Sequence, residues 1–186
     1  MGCDLSKIKD VQLFILPDHL RPDLAILFCG TAVSVHSAER GHFYNGPGNE
    51  FWRFLHESGI TPIRFKPEDD HRICEFECGL TDLVKTFASN SDAGLRRHYD
   101  VTGFLKKIEP FKPKWVAFHG KEAAKIVAKH FGLKEPLRLG RQSWMIGSSS
   151  VFVLPSASGA NRNVGRCEGK ADRIEWFKEL ALAAWN

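Results

Sequence analysis

The sequence predicts an α/β fold, a three-layer sandwich with a central, mostly parallel sheet and helices on both faces. Two observations carry this. Leu24-Ala25-Ile26-Leu27-Phe28-Cys29 and Lys114-Trp115-Val116-Ala117-Phe118-His119-Gly120 are short apolar runs, the pattern of strands buried on both sides. Segments with helical spacing of apolar residues stand between and after them, so strands alternate with helices.

The elements follow in order. Residues 1–23 read as an irregular lead-in, with Pro17 and Pro22 limiting helix, and one domain spans 24–186. After the first strand, residues 30–48 read as a loop rich in Gly, Ser and His. Asn49 to Ser58 reads as a helix that buries Phe51, Trp52, Phe54 and Leu55 and stops at Gly59. Residues 61–72 are polar and contain proline, and Gly79-Leu80-Thr81-Asp82-Leu83-Val84 reads as a short strand with a polar tip. From 93 to 108, Leu95, Val101, Phe104, Leu105 and Ile108 recur near helical spacing. The second apolar run leads straight into a helix from Lys121 to Phe131, ended by Gly132. Ser143–Ile146 and Val151–Leu154 form a β pair around Gly147-Ser148-Ser149, and a helix from Ala171 to Trp185 closes the chain.

Composition narrows the function classes. With 186 residues, 43% hydrophobic and 26% charged, the chain is an ordinary globular domain. A formal net charge of +4 is compatible with DNA, although many proteins with no nucleic-acid role share it. No apolar run approaches a membrane span, so no membrane partner is expected. The start of the chain has no basic region followed by a hydrophobic stretch, so the expected location is cytoplasmic, or nuclear in a eukaryote. Five scattered cysteines read as reduced thiols, and Cys74-x-x-x-Cys78 is not zinc spacing. A monomer with no metal and no cofactor is expected.

In sheets of this kind ligands bind beyond the carboxyl ends of the strands. Gly30–Gly48, Asp82, His119–Lys121 and Ser156–Arg162 all follow strand ends, so they are predicted to converge. Tyr44 stands among turn residues in Gly41-His42-Phe43-Tyr44-Asn45-Gly46-Pro47-Gly48-Asn49-Glu50-Phe51-Trp52, where it can stack on a flat ring or pack the loop onto the sheet.

This block, taken with Leu154-Pro155-Ser156-Ala157-Ser158-Gly159-Ala160-Asn161-Arg162, resembles the mismatch-specific uracil/thymine DNA glycosylases of the uracil-DNA glycosylase superfamily, over about residues 24–185. The resemblance implies excision of uracil or another deaminated base from DNA by base flipping and hydrolysis of the N-glycosidic bond. It implies that Tyr44 stacks on the flipped base, and that backbone amides of Thr31, Ala32, Val33 and Ser34 hold its oxygens. The family reads Gly-Ile-Asn-Pro-Gly where this chain reads Gly30-Thr31-Ala32-Val33-Ser34, so Ala32 stands in place of the Asn that orients the attacking water. Three side chains are candidates to replace it. Asn49 has the right carboxamide and matches an Asn of a related hypoxanthine-type branch; its plain role is a helix cap. Asp82 sits where thymine-excising relatives have a base-contacting Asn; its plain role is a turn residue. His36, six residues past Gly30, can stabilise the sugar cation or simply be solvated.

The last motif implies a loop that grips phosphate through Ser156 and Ser158 and wedges the duplex. Ala160 replaces a bulky wedge, which leaves Asn161 or Arg162 to fill the vacated space. Arg166, Lys170 and Arg173 make the following segment basic, as a DNA-binding loop or as a solvated charged one. Lys121 meets phosphate or caps its helix, and His119 reads as a structural strand-end residue. His71, beside Asp69-Asp70, has no evident role. Two other readings stay open: a non-catalytic binder of lesion or abasic-site DNA, and a pocket for a free nucleobase or nucleotide.

Overall fold

The computed structural model describes residues 15–91, 93–159 and 168–185. Five strands form one sheet in the order β2-β1-β3-β5-β4. They are β1 (Ile26–Ala32), β2 (Cys78–Val84), β3 (Trp115–His119), β4 (Gly140–Ile146) and β5 (Ser149–Leu154). All neighbours are parallel except β4 with β5, the pair predicted around Gly147. The helices are α1 (Val35–Arg40), α2 (Phe51–Glu57), α3 (Val101–Ile108), α4 (Lys121–His130) and α5 (Ile174–Trp185). No helix among the described residues is long and apolar enough to cross a membrane.

Strand register sorts the side chains into two layers. Phe28 pairs with Ala117, and Cys29 with Phe118, so Phe28 and Phe118 point to opposite faces. Phe28 meets Phe51 of α2 edge to face, and Phe54 of α2 meets Phe177 of α5. On the other face Phe118 meets Phe104 of α3. Helices therefore cover both faces, as the fully buried pattern of β2, β3 and the first five residues of β1 requires. The same alternation sends Gly30, Asp82 and His119 to the α2 face at the carboxyl edge, because Gly30 pairs with Asp82 and His119 follows Phe118.

Besides shifts at the ends of β1 and α2, four segments differ from the sequence-based expectations. The 30–48 segment is not all loop: Ser34 accepts from the Ser37 N–H and starts α1, and Gly41 in the left-handed region ends it. The polar 61–72 segment runs into a 3-10 helix, Pro67–Phe76. The helix expected from 93 starts only at Val101, because the Asp100 carboxylate caps the Gly103 N–H at 2.8 Å; a 3-10 turn, Leu95–His98, precedes it. The closing helix begins at Ile174 rather than Ala171.

The described part of the lead-in, residues 15–23, runs beside β2. Ile15 N–H donates to the Lys85 carbonyl at 2.9 Å, and His19 and Leu80 exchange two hydrogen bonds at 3.0 Å. It delivers Asp18 to a buried charge cluster. Asp18 pairs with Lys85 at 2.8 Å and Lys107 at 2.9 Å and accepts from the Thr81 hydroxyl at 2.7 Å. Burial pushes the Asp18 carboxyl up, but the two ammonium groups outweigh it and hold the carboxyl below its ordinary value.

Candidate active site

The strand-end loops converge on one cleft of about 960 Å3 at the carboxyl edge of the sheet. Thr31 and Ala32 end β1, Val33 and Ser34 turn into α1, and all four line the cleft. Tyr44, Asn49 and Asp82 line it as well, as does His36 from the exposed side of α1. Lys121, Ser156 and Ser158 stand at the β3 and β5 side.

Tyr44 is held by its neighbours on both sides. The buried Asp70 accepts from the Phe43 N–H at 2.8 Å and contacts His42 Nδ1 at 3.3 Å and His19 Nε2 at 3.4 Å. Arg40 donates to the Asn45 carbonyl at 2.9 Å. Between these anchors Tyr44 takes a φ of +56°, uncommon for a bulky side chain. One face of its ring stacks on Phe51, centroids 3.7 Å apart and planes 23° apart, so a ligand can stack only on the other face. Its hydroxyl is buried without a hydrogen-bond partner among the described residues. Such an orphan costs about 1–3 kcal/mol. Tyr44→Phe keeps the ring and removes the orphan, so it is expected to raise unfolding stability by about 1 kcal/mol in a urea titration. A loss of stability would mean that the hydroxyl has a partner in solution.

Asp82 is 4% exposed, and no hydrogen bond reaches its carboxylate among the described residues. Its place depends on Gly30: a methyl group there would lie 2.3 Å from Asp82 Oδ1. Burial pushes the Asp82 carboxyl up to about 6; Lys85 and Lys107 pull it down and Asp18 pushes it up, without cancelling the effect of burial. Asn49 is committed differently. Its side-chain oxygen accepts from the Phe51 N–H at 3.0 Å, a local bond just ahead of α2 whose cap position is Glu50, and the oxygen's second lone pair and the amide N–H2 are left to serve the cleft.

His119 is more than a strand-end residue. It is buried yet lines the cleft. Its Nε2 accepts from the Ala157 N–H at 2.9 Å, which puts the ring proton on Nδ1. Burial, with help from Arg173, lowers its pKa to about 3, so the ring is neutral. Tyr44 packs against it edge to face at 4.9 Å.

The last-motif loop is docked onto the segment before α2. Glu50 N–H donates to the Ala157 carbonyl at 2.9 Å, and a methyl at Gly159 would lie 2.7 Å from the Pro47 carbonyl oxygen. Arg173 donates to the Ser156 carbonyl at 2.8 Å and pairs with Glu50, so it clamps this junction rather than adding to an open basic loop. Lys121 pairs with Glu168, which also accepts from the Leu139 N–H at 2.6 Å. Lys170 pairs with Glu179 at 2.8 Å and covers the Trp176 ring, away from the cleft lining. Ala160, Asn161, Arg162 and Arg166 lie outside the described residues.

A family model of the uracil DNA glycosylase superfamily matches residues 17–181. The chain belongs to this superfamily. Among solved structures it is similar to the solution NMR structure of a "putative Uracil DNA glycosylase" from Methanosarcina acetivorans, with 22% identity and a TM-score of 0.55, over 89% of this chain and 96% of that one. At that identity the likeness speaks for the α/β fold. Within this glycosylase superfamily chain, Asp70 is the residue to which the sequence assigned no role, and His119 is one that it placed at the strand ends and read as structural. Asp70 sat unremarked beside His71, although a buried-loop anchor is a common use of an Asp. His119 ends an apolar strand, and the strand-end rule alone was signal enough to place it at the cleft.

Proposed function

We propose that the chain is a DNA glycosylase that hydrolyses the N-glycosidic bond of uracil, or of another deaminated base, in DNA, nearest in kind to the mismatch-specific uracil/thymine enzymes. The observation that carries this reading is the meeting, in one cleft, of the half-buried Tyr44 ring and a buried Asp82 carboxylate with no hydrogen-bond partner among the described residues. The flipped base stacks on the free face of Tyr44. A sugar with oxocarbenium character then forms, and a water must attack C1′. Ala32 offers that water no side-chain group. Asp82 does: an ionised carboxylate accepts both the water's proton and the hydrogen bond that orients it, and its charge stabilises the sugar cation. Asn49, whose oxygen already accepts from the Phe51 N–H, has no group that takes a proton from water, so it assists in orienting only.

DNA is the implied partner, with a monomer acting on it, and Ser156 and Ser158, which line the cleft, are the groups we assign to backbone phosphate. Ala32 favours a second reading, a lesion or abasic-site binder without turnover. Turnover separates the two. Excess protein is incubated with a labelled oligonucleotide carrying one uracil, opposite G, opposite A or unpaired, and then treated with alkali. Strand scission at the uracil supports the glycosylase. Tight lesion binding with intact strands, on uracil and on other deaminated bases, supports the binder. Asn49→Ala is expected to slow single-turnover excision by less than about tenfold, the share of one neutral hydrogen bond.

A further inference from the structure

We infer that His119 reads the base, donating its Nδ1–H to the exocyclic carbonyl oxygen that deamination creates, and so separates deaminated bases from their amino-bearing parents. The inference rests on the glycosylase reading and adds its specificity element.

Three observations lead to it. The ring lies at the carboxyl end of β3, on the same sheet face as Gly30 and Asp82, and lines the cleft beside Tyr44. Its Nε2 is engaged by the Ala157 N–H. Its Nδ1 has no partner among the described residues. The second observation fixes the sense of the third. If the proton moved to Nε2, two N–H groups would face each other at 2.9 Å and the buried Ala157 amide would lose its acceptor. Rotating the ring would break the same bond. The neutral ring, kept so by burial and by Arg173, therefore has a donor and no acceptor left for a ligand in the cleft that it lines.

A fixed donor discriminates by chemistry. Uracil carries a carbonyl oxygen where cytosine carries an amino group, and hypoxanthine carries one where adenine carries an amino group. The oxygen accepts from Nδ1–H; the amino group sets donor against donor and leaves both unpaired in a desolvated site. Sites built on such a hydrogen bond reject the mismatched analogue strongly. The same donor meets the negative charge that develops on the departing base.

The test compares wild type, His119→Ala and His119→Gln on oligonucleotides carrying one uracil or one cytosine, by single-turnover excision and by binding. His119→Ala is expected to slow uracil excision about 100-fold while cytosine binding is unchanged or improves, so that discrimination narrows. His119→Gln, whose amide can turn either group to the base, is expected to regain uracil excision in part and to bind cytosine better than wild type. Imidazole 15N NMR of the wild-type protein supplies a readout independent of folding of the variants. The inference expects the proton on Nδ1 at pH 5 to 8. A proton on Nε2, or equal losses on uracil and cytosine in both variants, would overturn it while leaving the glycosylase in place. A wild type that excises no base would overturn the glycosylase reading first and this inference with it.

Discussion

Asp82→Asn is expected to make the protein more stable and nearly inactive. Both effects come from one buried carboxylate. Its pKa, about 6 in the folded chain, lies above the ordinary value near 3.8. Between these two values the unfolded chain has released the proton and the folded chain still holds it. Stability therefore falls as pH rises through this window, and the whole cost is present above it. The interval corresponds to about 3 kcal/mol. Asn carries no charge to bury, so the variant is expected to gain about 2–3 kcal/mol at pH 7.5 and little at pH 4. Thermal unfolding at both values measures it. A gain that did not depend on pH would mean that the carboxylate is not desolvated as described.

The activity of this variant should move the other way. An amide cannot take a proton from water, and loss of a positioned base costs about 100- to 10,000-fold in rate. In the wild type the excision rate should rise with pH through about 6 as Asp82 ionises. A pH-independent rate from 5 to 7.5 would remove Asp82 as the group that orients the water. A gain of stability paired with a loss of function is the mark of a site that holds its charge against the preference of the fold.

Arg173→Ala carries the second large effect. Arg173 holds the Ser156 and Ser158 carbonyls through one guanidinium nitrogen and pairs with Glu50 through another, over the Phe54 ring at 5.3 Å. Its side chain is 16% exposed, so these bonds are shielded from water. Removing it leaves two carbonyls short of a donor and undoes the junction between the last-motif loop and α2. A stability loss of about 2–4 kcal/mol is expected, with DNA affinity falling at the same time. Arg173→Lys should not restore stability, because a single ammonium group cannot reproduce the fork. The competing role, a direct phosphate contact, predicts something else: unchanged thermal stability, and a salt dependence of binding shallower by about one charge. Unfolding and a salt titration of the same variant tell the two apart.

The fold was legible where apolar runs were continuous. Leu24–Cys29 and Trp115–His119 needed no knowledge of their neighbours, because burial on both faces leaves its mark in the strand itself. The convergence of Thr31–Ser34, Tyr44, Asp82, His119, Lys121 and Ser156 followed from the strand-end rule, and all of them line the cleft. α1 was not legible, because six residues give too little periodicity; its signals were the Ser34 cap and the Gly41 stop. What each polar side chain does was the least accessible part. Lys121 is spoken for by Glu168, 47 positions away, and His119 is oriented by Ala157, 38 positions away. Such pairings belong to tertiary structure and leave no local pattern. Asn49 shows the reverse case: a local bond at the start of α2 was readable, and its oxygen does accept from the Phe51 N–H, although the cap position itself is Glu50.

The most direct measurement is release of the free base. Wild-type protein and Asp82→Asn are incubated side by side with an excess of uracil-containing oligonucleotide, and free uracil is measured by chromatography while DNA binding is followed in the same samples. The account predicts free uracil from the wild type, little from Asp82→Asn, and similar DNA binding by both. No free uracil or other deaminated base from the wild type, or equal release by the two proteins, would contradict it.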